Sequence, residues 1–165
     1  MVRHSRRLVG GVLLAALSMA MFAAAGVLSN DDIKKVTPAS FFFSGQLAPV
    51  QLRNSTGFRT DQGKLVLAGL VDNSGYAADV AERYQGFLIS EVKLQIGSSS
   101  LPAGAYAFGF HKDGNFVVMD VGGNEVTSAA YKEDSSLAHP VPLRMASQDG
   151  GLRLYAGKRW IALAP

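Results

Sequence analysis

Tyr84, Tyr106, Phe108, Phe110 and Trp160 are the side chains of this 165-residue sequence best suited to holding a ligand. Aromatic walls bury ligand area, and Tyr and Trp add a polar contact. Tyr84, Tyr106, Phe108 and Trp160 are accordingly the ligand-binding candidates. A core role competes with this reading, because Tyr106, Phe108 and Phe110 alternate with Ala105, Ala107 and Gly109, and Trp160 sits in a regular strand pattern between Arg159 and Ile161. Asp120-Val121-Gly122-Gly123-Asn124-Glu125 offers oxygen ligands on a glycine turn, the type calcium prefers. Asp120, Asn124 and Glu125 are therefore a weak calcium candidate, lacking the alternating acids and distal Glu of an EF-hand loop. A hairpin turn of this composition needs no ion. His111 and His139 have no paired spacing and there is no cysteine, which argues against zinc. His111, beside Lys112-Asp113-Gly114, reads as a solvated hairpin tip.

Catalytic signatures are missing from the sequence. There is no Gly-x-Ser-x-Gly elbow, His-Glu-x-x-His, phosphate-binding loop or dinucleotide fingerprint. An enzyme would have to be a small hydrolase built on carboxylates such as Asp72 and Glu91. No cofactor is implied.

The elements that must position these residues follow from periodicity. The apolar run Lys64 to Val71 predicts a strand buried on both faces. Tyr76, Val80 and Tyr84 recur every fourth residue, with Asp79 and Arg83 at i, i+4, which predicts one amphipathic helix over Tyr76 to Gln85. Asp72-Asn73-Ser74-Gly75 would cap it and Gly86 would stop it. From Phe87 the period becomes two, with Leu88, Val92, Leu94 and Ile96 on one face. Asp113-Gly114 predicts a hairpin between Ala105 to Lys112 and Asn115 to Val121. Shorter strands follow at Glu125 to Tyr131, Val141 to Ala146, Leu152 to Ala156 and Arg159 to Leu163. Phe41-Phe42-Phe43 starts the fold in a strand region interrupted at Pro49, and places an aromatic side chain on each side, one of them available to a partner. The expected fold is all-β and mainly antiparallel, a β-sandwich or small β-barrel of about 8–9 short strands with one short helix.

Leu101-Pro102-Ala103-Gly104-Ala105-Tyr106, preceded by Val92-Lys93-Leu94-Gln95-Ile96-Gly97, resembles a family of secreted bacterial β-domains of unknown function that share a Leu-Pro-Ala-Gly-x-Tyr strand entry. The likeness covers under twenty residues and implies β architecture and bacterial export, with no site. Within it, Pro102 fixes one backbone angle and Gly104 is expected to supply a conformation closed to other residues. The nearly bare face of Ala105, Ala107 and Gly109 calls for a close neighbour, either a packed helix or a ligand.

Residues 1–25 read as a signal peptide. Arg3, Arg6 and Arg7 precede an apolar run from Leu8 to Phe22, and Ala23-Ala24-Ala25 ends it. The alternative is an uncleaved N-terminal membrane anchor, the one route by which this chain would meet a membrane. Residues 26–38 read as a flexible tether and 39–165 as a single β-rich domain.

The formal charge of +3 comes from the three signal arginines, which leaves thirteen basic against thirteen acidic residues from Gly26 onward. Those cations form no cluster in the sequence, which excludes nucleic acid as a partner on this reading. With no disulfide to staple it, the domain must rest on packing. The functional expectation is an exported, secreted or periplasmic, non-catalytic binding or accessory domain for a small molecule, a glycan or an envelope protein. The alternatives are a structural envelope protein and the carboxylate hydrolase.

Overall fold

A computed structural model describes residues 24–148 and 151–165. The expected signal peptide lies almost wholly outside the described residues. Among those residues no helix is long and apolar enough to cross a membrane.

The fold is mainly antiparallel β, in a sandwich-like arrangement that does not close into a barrel. The chain opens with β1 (Gly26–Val27) and α1 (Asn30–Val36), then the hairpin of β2 (Ser40–Phe43) and β3 (Gln46–Arg59). Next come β4 (Leu65–Val71), α2 (Ala78–Arg83) and β5 (Gly86–Ser90), and the small hairpin of β6 (Leu94–Ile96) and β7 (Ser99–Leu101). β8 (Gly104–Phe110), β9 (Asn115–Met119) and β10 (Glu125–Ala130) complete the large sheet. β11 (Lys132–Glu133), β12 (Val141–Gln148), β13 (Gly151–Gly157) and β14 (Arg159–Leu163) make the second. The large sheet has the order β1-β3-β4-β5-β8-β9-β10, with β2 also on β3; the small one runs β11-β14-β13-β12. Paired backbone bonds between Gln95 and Ala164 join the β6–β7 hairpin to the end of β14.

The central strands of the large sheet, β4, β5, β8 and β9, are buried on both faces. Val66, Ala68, Leu88, Phe108, Phe116 and Val118 face the small sheet and meet Leu143, Met145, Leu152, Leu154, Ile161 and Leu163. Leu67, Val71, Phe87, Ala107, Val117 and Met119 point the other way, under Ile33 of α1, Phe41 and Phe43 of β2, and Tyr84. Strands buried on both faces lose the apolar and polar alternation of a half-exposed strand and become continuous apolar runs. That accounts for Lys64 to Val71.

Several expectations change in three dimensions. Residues 26–38 are not a tether. Leu28 donates its backbone N–H to Gly57 O at 2.8 Å, Ser29 caps α1 by accepting from Asp32 N–H, and Ile33 is buried. An N-cap Ser with acids in the first turn and lysines in the last is a helix-start and helix-stop pattern that favours this short helix. There are thus two helices and fourteen strands among the described residues. The strand from Phe87 ends at Ser90, whose Oγ bonds Val92 O, and Leu94 to Ile96 belongs to a separate hairpin. β3 runs through Pro49, which lies opposite Ser40 of β2 and accepts from Asp72 N–H at 2.8 Å. Its real interruption is a bulge at 51–54, where the register with β4 jumps from Val50↔Val71 to Ser55↔Gly69.

The bare face of β8 takes the end of the helix. A Cβ on Gly109 would collide with the Arg83 carbonyl oxygen. Helix α2 is shorter than expected and starts at Ala77 without a side-chain cap. Asn73, an expected N-terminal cap, instead donates its amide to the Ala81 and Tyr84 carbonyls at the other end. The Tyr76, Val80 and Tyr84 stripe packs on the sheet as its spacing requires, with Tyr84 4.2 Å from Phe43 between ring centroids. Gly104 has no left-handed backbone; a Cβ there would lie 2.9 Å from the Tyr106 hydroxyl. Tyr106 folds back over the entry turn and donates to Pro102 O at 3.0 Å, so the Leu-Pro-Ala-Gly-x-Tyr segment is a ring-covered turn.

Gly109→Ala is expected to destabilise the domain by about 1–3 kcal/mol, the usual cost of overpacking. Tyr84→Phe should leave the melting temperature equal or higher, because the buried Tyr84 hydroxyl has no partner among the described residues and its removal relieves an unmet desolvation cost. Thermal unfolding of the two variants measures both, and a stable Gly109→Ala protein would contradict the docking of Arg83 on β8.

Candidate functional site

The four candidate aromatics do not form one pocket. Tyr84 is fully buried with Phe43 and Tyr76 on one side of the large sheet, and burial holds its phenol above the usual range. Phe108 is fully buried on the opposite side, 5.4 Å from Phe116. Tyr106 is half-buried over its turn. Trp160 alone remains available: half-buried, it lies on the outer face of the small sheet, away from the core.

Register explains what surrounds it. On β14 the side chains of Ile161 and Leu163 point into the core, which turns Trp160 and Ala162 outward. On β13 the same alternation points Leu152 and Leu154 into the core and turns Arg153 and Tyr155 to the other face, where Tyr155, directly opposite Trp160, is covered by its neighbours and buried. β12 places Arg144 opposite Tyr155, and β11 places Lys132 opposite Trp160. Each cation sits on an aromatic ring. The Arg153 guanidinium carbon is 3.9 Å from the Trp160 centroid, the Lys132 ammonium 5.4 Å from the same ring, and the Arg144 guanidinium 4.9 Å from Tyr155. Such stacking fixes a guanidinium in place while its N–H edges stay open to an acceptor.

Among the described residues, Asp134 is the carboxylate bonded to this face, and it is engaged. Asp134 accepts from Ser136 through one oxygen and from the Tyr155 hydroxyl at 3.1 Å through the other. The Ser136 bonds, then the Tyr155 bond and the Arg153 charge, hold its carboxyl below the usual range. None of the ion pairs among the described residues uses Lys132, Arg144 or Arg153. Cations that are scattered in the sequence are gathered by three strands into one patch. Beside the patch, where the β6–β7 hairpin meets β14, a groove of about 360 Å³ is lined by Gln95, Gly97, Arg153, Trp160, Ala162 and Ala164. That volume is near the lower end of the ~300–1,000 Å³ of small-ligand sites.

The other candidates resolve differently. Asp120 is spent on its own turn: one carboxylate oxygen accepts from Gly122 N–H and Asn124 N–H, each at 2.9 Å, and the other from the Asn124 amide at 3.0 Å. Glu125 is exposed at the start of β10. The calcium candidate is therefore a hydrogen-bonded hairpin turn, and no cluster of three metal-ligating side chains occurs among the described residues. His111 ends β8 with its ring nitrogen 3.2 Å from the Arg83 carbonyl, which makes it a brace against α2. Asp72 and Glu91 cap opposite ends of β4. Asp72 accepts from Ser74 N–H, and Glu91 from Leu65 N–H at 2.7 Å. Seven strand residues, roughly 20 Å, separate them, too far for a shared reaction centre.

No family model, no curated protein and no solved structure matches this chain. Its site therefore rests on its own geometry. Sequence reading found Trp160 but missed Arg153, Tyr155, Arg144 and Lys132. The signal that would have found two of them is the period-two pattern in Leu152-Arg153-Leu154-Tyr155, where the two apolar residues pick the core face and leave Arg and Tyr together on the other.

Calcium should leave the melting temperature unchanged, whereas Asp120→Ala should lower it at neutral pH. The turn hydrogen bonds hold the Asp120 carboxyl below its ordinary value. Its contribution is therefore present above the unfolded-chain pKa near ~3.9 and lost as pH falls through the lower folded value. Melting curves from pH 7 down to about 2.5 should show the gap between the two proteins closing at the acid end; a calcium-dependent rise would restore the metal site.

Proposed function

We propose that this chain is an exported, non-catalytic binding domain that takes an acidic saccharide on the outer face of its small sheet. The observation that carries the reading is the stack of Arg153 on Trp160 at the edge of the groove, with Lys132 on the same ring and Arg144 on Tyr155 beside it. The part of the half-buried Trp160 indole not covered by Arg153 offers apolar contact to the C–H face of a sugar ring. A guanidinium held in place offers two parallel N–H groups to a carboxylate or phosphate. The side-chain amide of Gln95 at the far wall adds hydroxyl recognition. The basic, apolar and Ala-rich order of residues 1–25 supports export, where acidic polysaccharides are common partners.

A second reading has its own observation. Phe42 and Leu47 are paired across the β2–β3 hairpin and are 49% and 67% exposed, while Phe41 and Phe43 are buried. That pair suits contact with another protein, as a structural envelope component would need, and does not involve the Trp160 face.

Trp160 is the sole tryptophan, so its fluorescence reports the proposed site directly. Titration with an oligogalacturonate should change the emission, and added salt should weaken the response. Arg153→Ala should reduce affinity about tenfold, on the order of 1.4 kcal/mol. A neutral malto-oligosaccharide should produce little change. Equal responses to the two sugars, or a stronger one to oligothymidylate, whose bases also stack on aromatic side chains, would overturn the assignment.

A further inference from the structure

A second cleft opens between the sheets at the end where Val141 pairs with Gly157. It has a volume of about 340 Å³, and Gln51, Asn54, Asn73, Gln85, Leu143 and Arg159 are among its walls. The bulge at 51–54 carries two of those amides: Gln51 donates to Val71 O at 3.0 Å and Asn54 donates to Gln51 Oε1 at 2.9 Å. Gln85 is pinned by both ends of its amide, donating to Phe110 O and accepting from Phe110 N–H, each at 3.0 Å. Asn73 donates to Ala81 O at 2.8 Å.

These bonds use the amide N–H groups on the fold. Among the described residues, Asn54 Oδ1 and Asn73 Oδ1 accept nothing, so the cleft presents free acceptors. Its charge comes from Arg159. That side chain is half-buried, with its guanidinium 5.5 Å from the Phe110 ring and 5.8 Å from the Tyr131 ring. It spends one N–H on Phe110 O at 3.0 Å and forms no ion pair among the described residues. A partly desolvated guanidinium with unspent donors gains most from an anion. The rest of the wall, Leu70, Pro142 and Leu143, is apolar.

We propose that this cleft binds the free carboxyl end of a short peptide. The carboxylate pairs with Arg159, backbone N–H groups donate to the Asn54 and Asn73 side-chain oxygens, and a small apolar side chain rests on Leu70 and Pro142. A bare inorganic anion would use Arg159 and leave the amide acceptors and the apolar wall idle. The site shares no residue with the Trp160 face, so the two assignments stand or fall separately.

The test is an NMR titration of the isotope-labelled protein with trialanine, its C-terminal amide and inorganic phosphate. Trialanine should shift the signals of Gln51, Asn54, Asn73 and Gln85, and the amide should bind at least tenfold more weakly. Asn54→Asp places a carboxylate in the cleft on an exposed bulge. It should weaken trialanine at least tenfold while the amide spectrum away from the bulge keeps its folded pattern, which separates binding from the bracing of Phe110 by Arg159. Arg159→Gln should weaken it similarly. Equal binding of acid and amide, phosphate binding as tightly as trialanine, shifts confined to other residues, or no shifts would each overturn the proposal.

Discussion

Coverage of the large sheet on both faces is the constraint from which the other features follow. β8 lies in the middle of that sheet, and its two faces are filled in opposite ways. Phe108 and Phe110 fill the space toward the small sheet, whereas Ala107 and Gly109 leave room for the backbone at the end of α2 to lie directly on the strand. Neighbouring glycines serve the same closeness: a Cβ on Gly69 would meet the Phe87 ring at 2.5 Å, and one on Gly86 would collide with the Gly69 carbonyl. Layers this close gain dispersion contacts and tolerate almost no added volume.

With both faces of the large sheet occupied, the outer face of the small sheet is the broad strand surface left for recognition. One side of β13 and β14 completes the core through Leu152, Leu154, Ile161 and Leu163. The other side is free to carry Arg153, Tyr155 and Trp160. The division is set by the two-residue period of a strand, and a one-residue slip would exchange the two sets. Core formation and display of the cationic, aromatic patch are therefore one event in folding.

Much of the architecture was legible in the amino-acid order, and the misses have physical causes. β14 matched its expected bounds, and the Asp113-Gly114 hairpin and the doubly buried β4 appeared where composition put them. α1 was hidden because Asn30 to Val36 commits only Ile33 fully to the core, so its polarity resembled a linker. The β2–β3 turn was missed because it uses Ser44 in a left-handed conformation before Gly45, a pairing weaker as a signal than Asn-Gly. Trp160 was visible as a residue but not as a site. Its partners come from β11, β12 and β13, and only strand pairing brings Lys132, Arg144 and Arg153 together. The apparent pocket of Tyr84, Tyr106, Phe108 and Trp160 failed for the same reason, since membership of one aromatic set says nothing about which layer each residue enters.

Amide hydrogen exchange under native conditions tests the central claim, that the doubly covered large sheet is the stability core on which the displayed face depends. Amides of β4, β5, β8 and β9 should exchange only through global unfolding, while those of β11 and β12 exchange by smaller openings. Exchange of β8 by local opening, at rates comparable to β12, would show that its two faces are not held as described and would contradict the account.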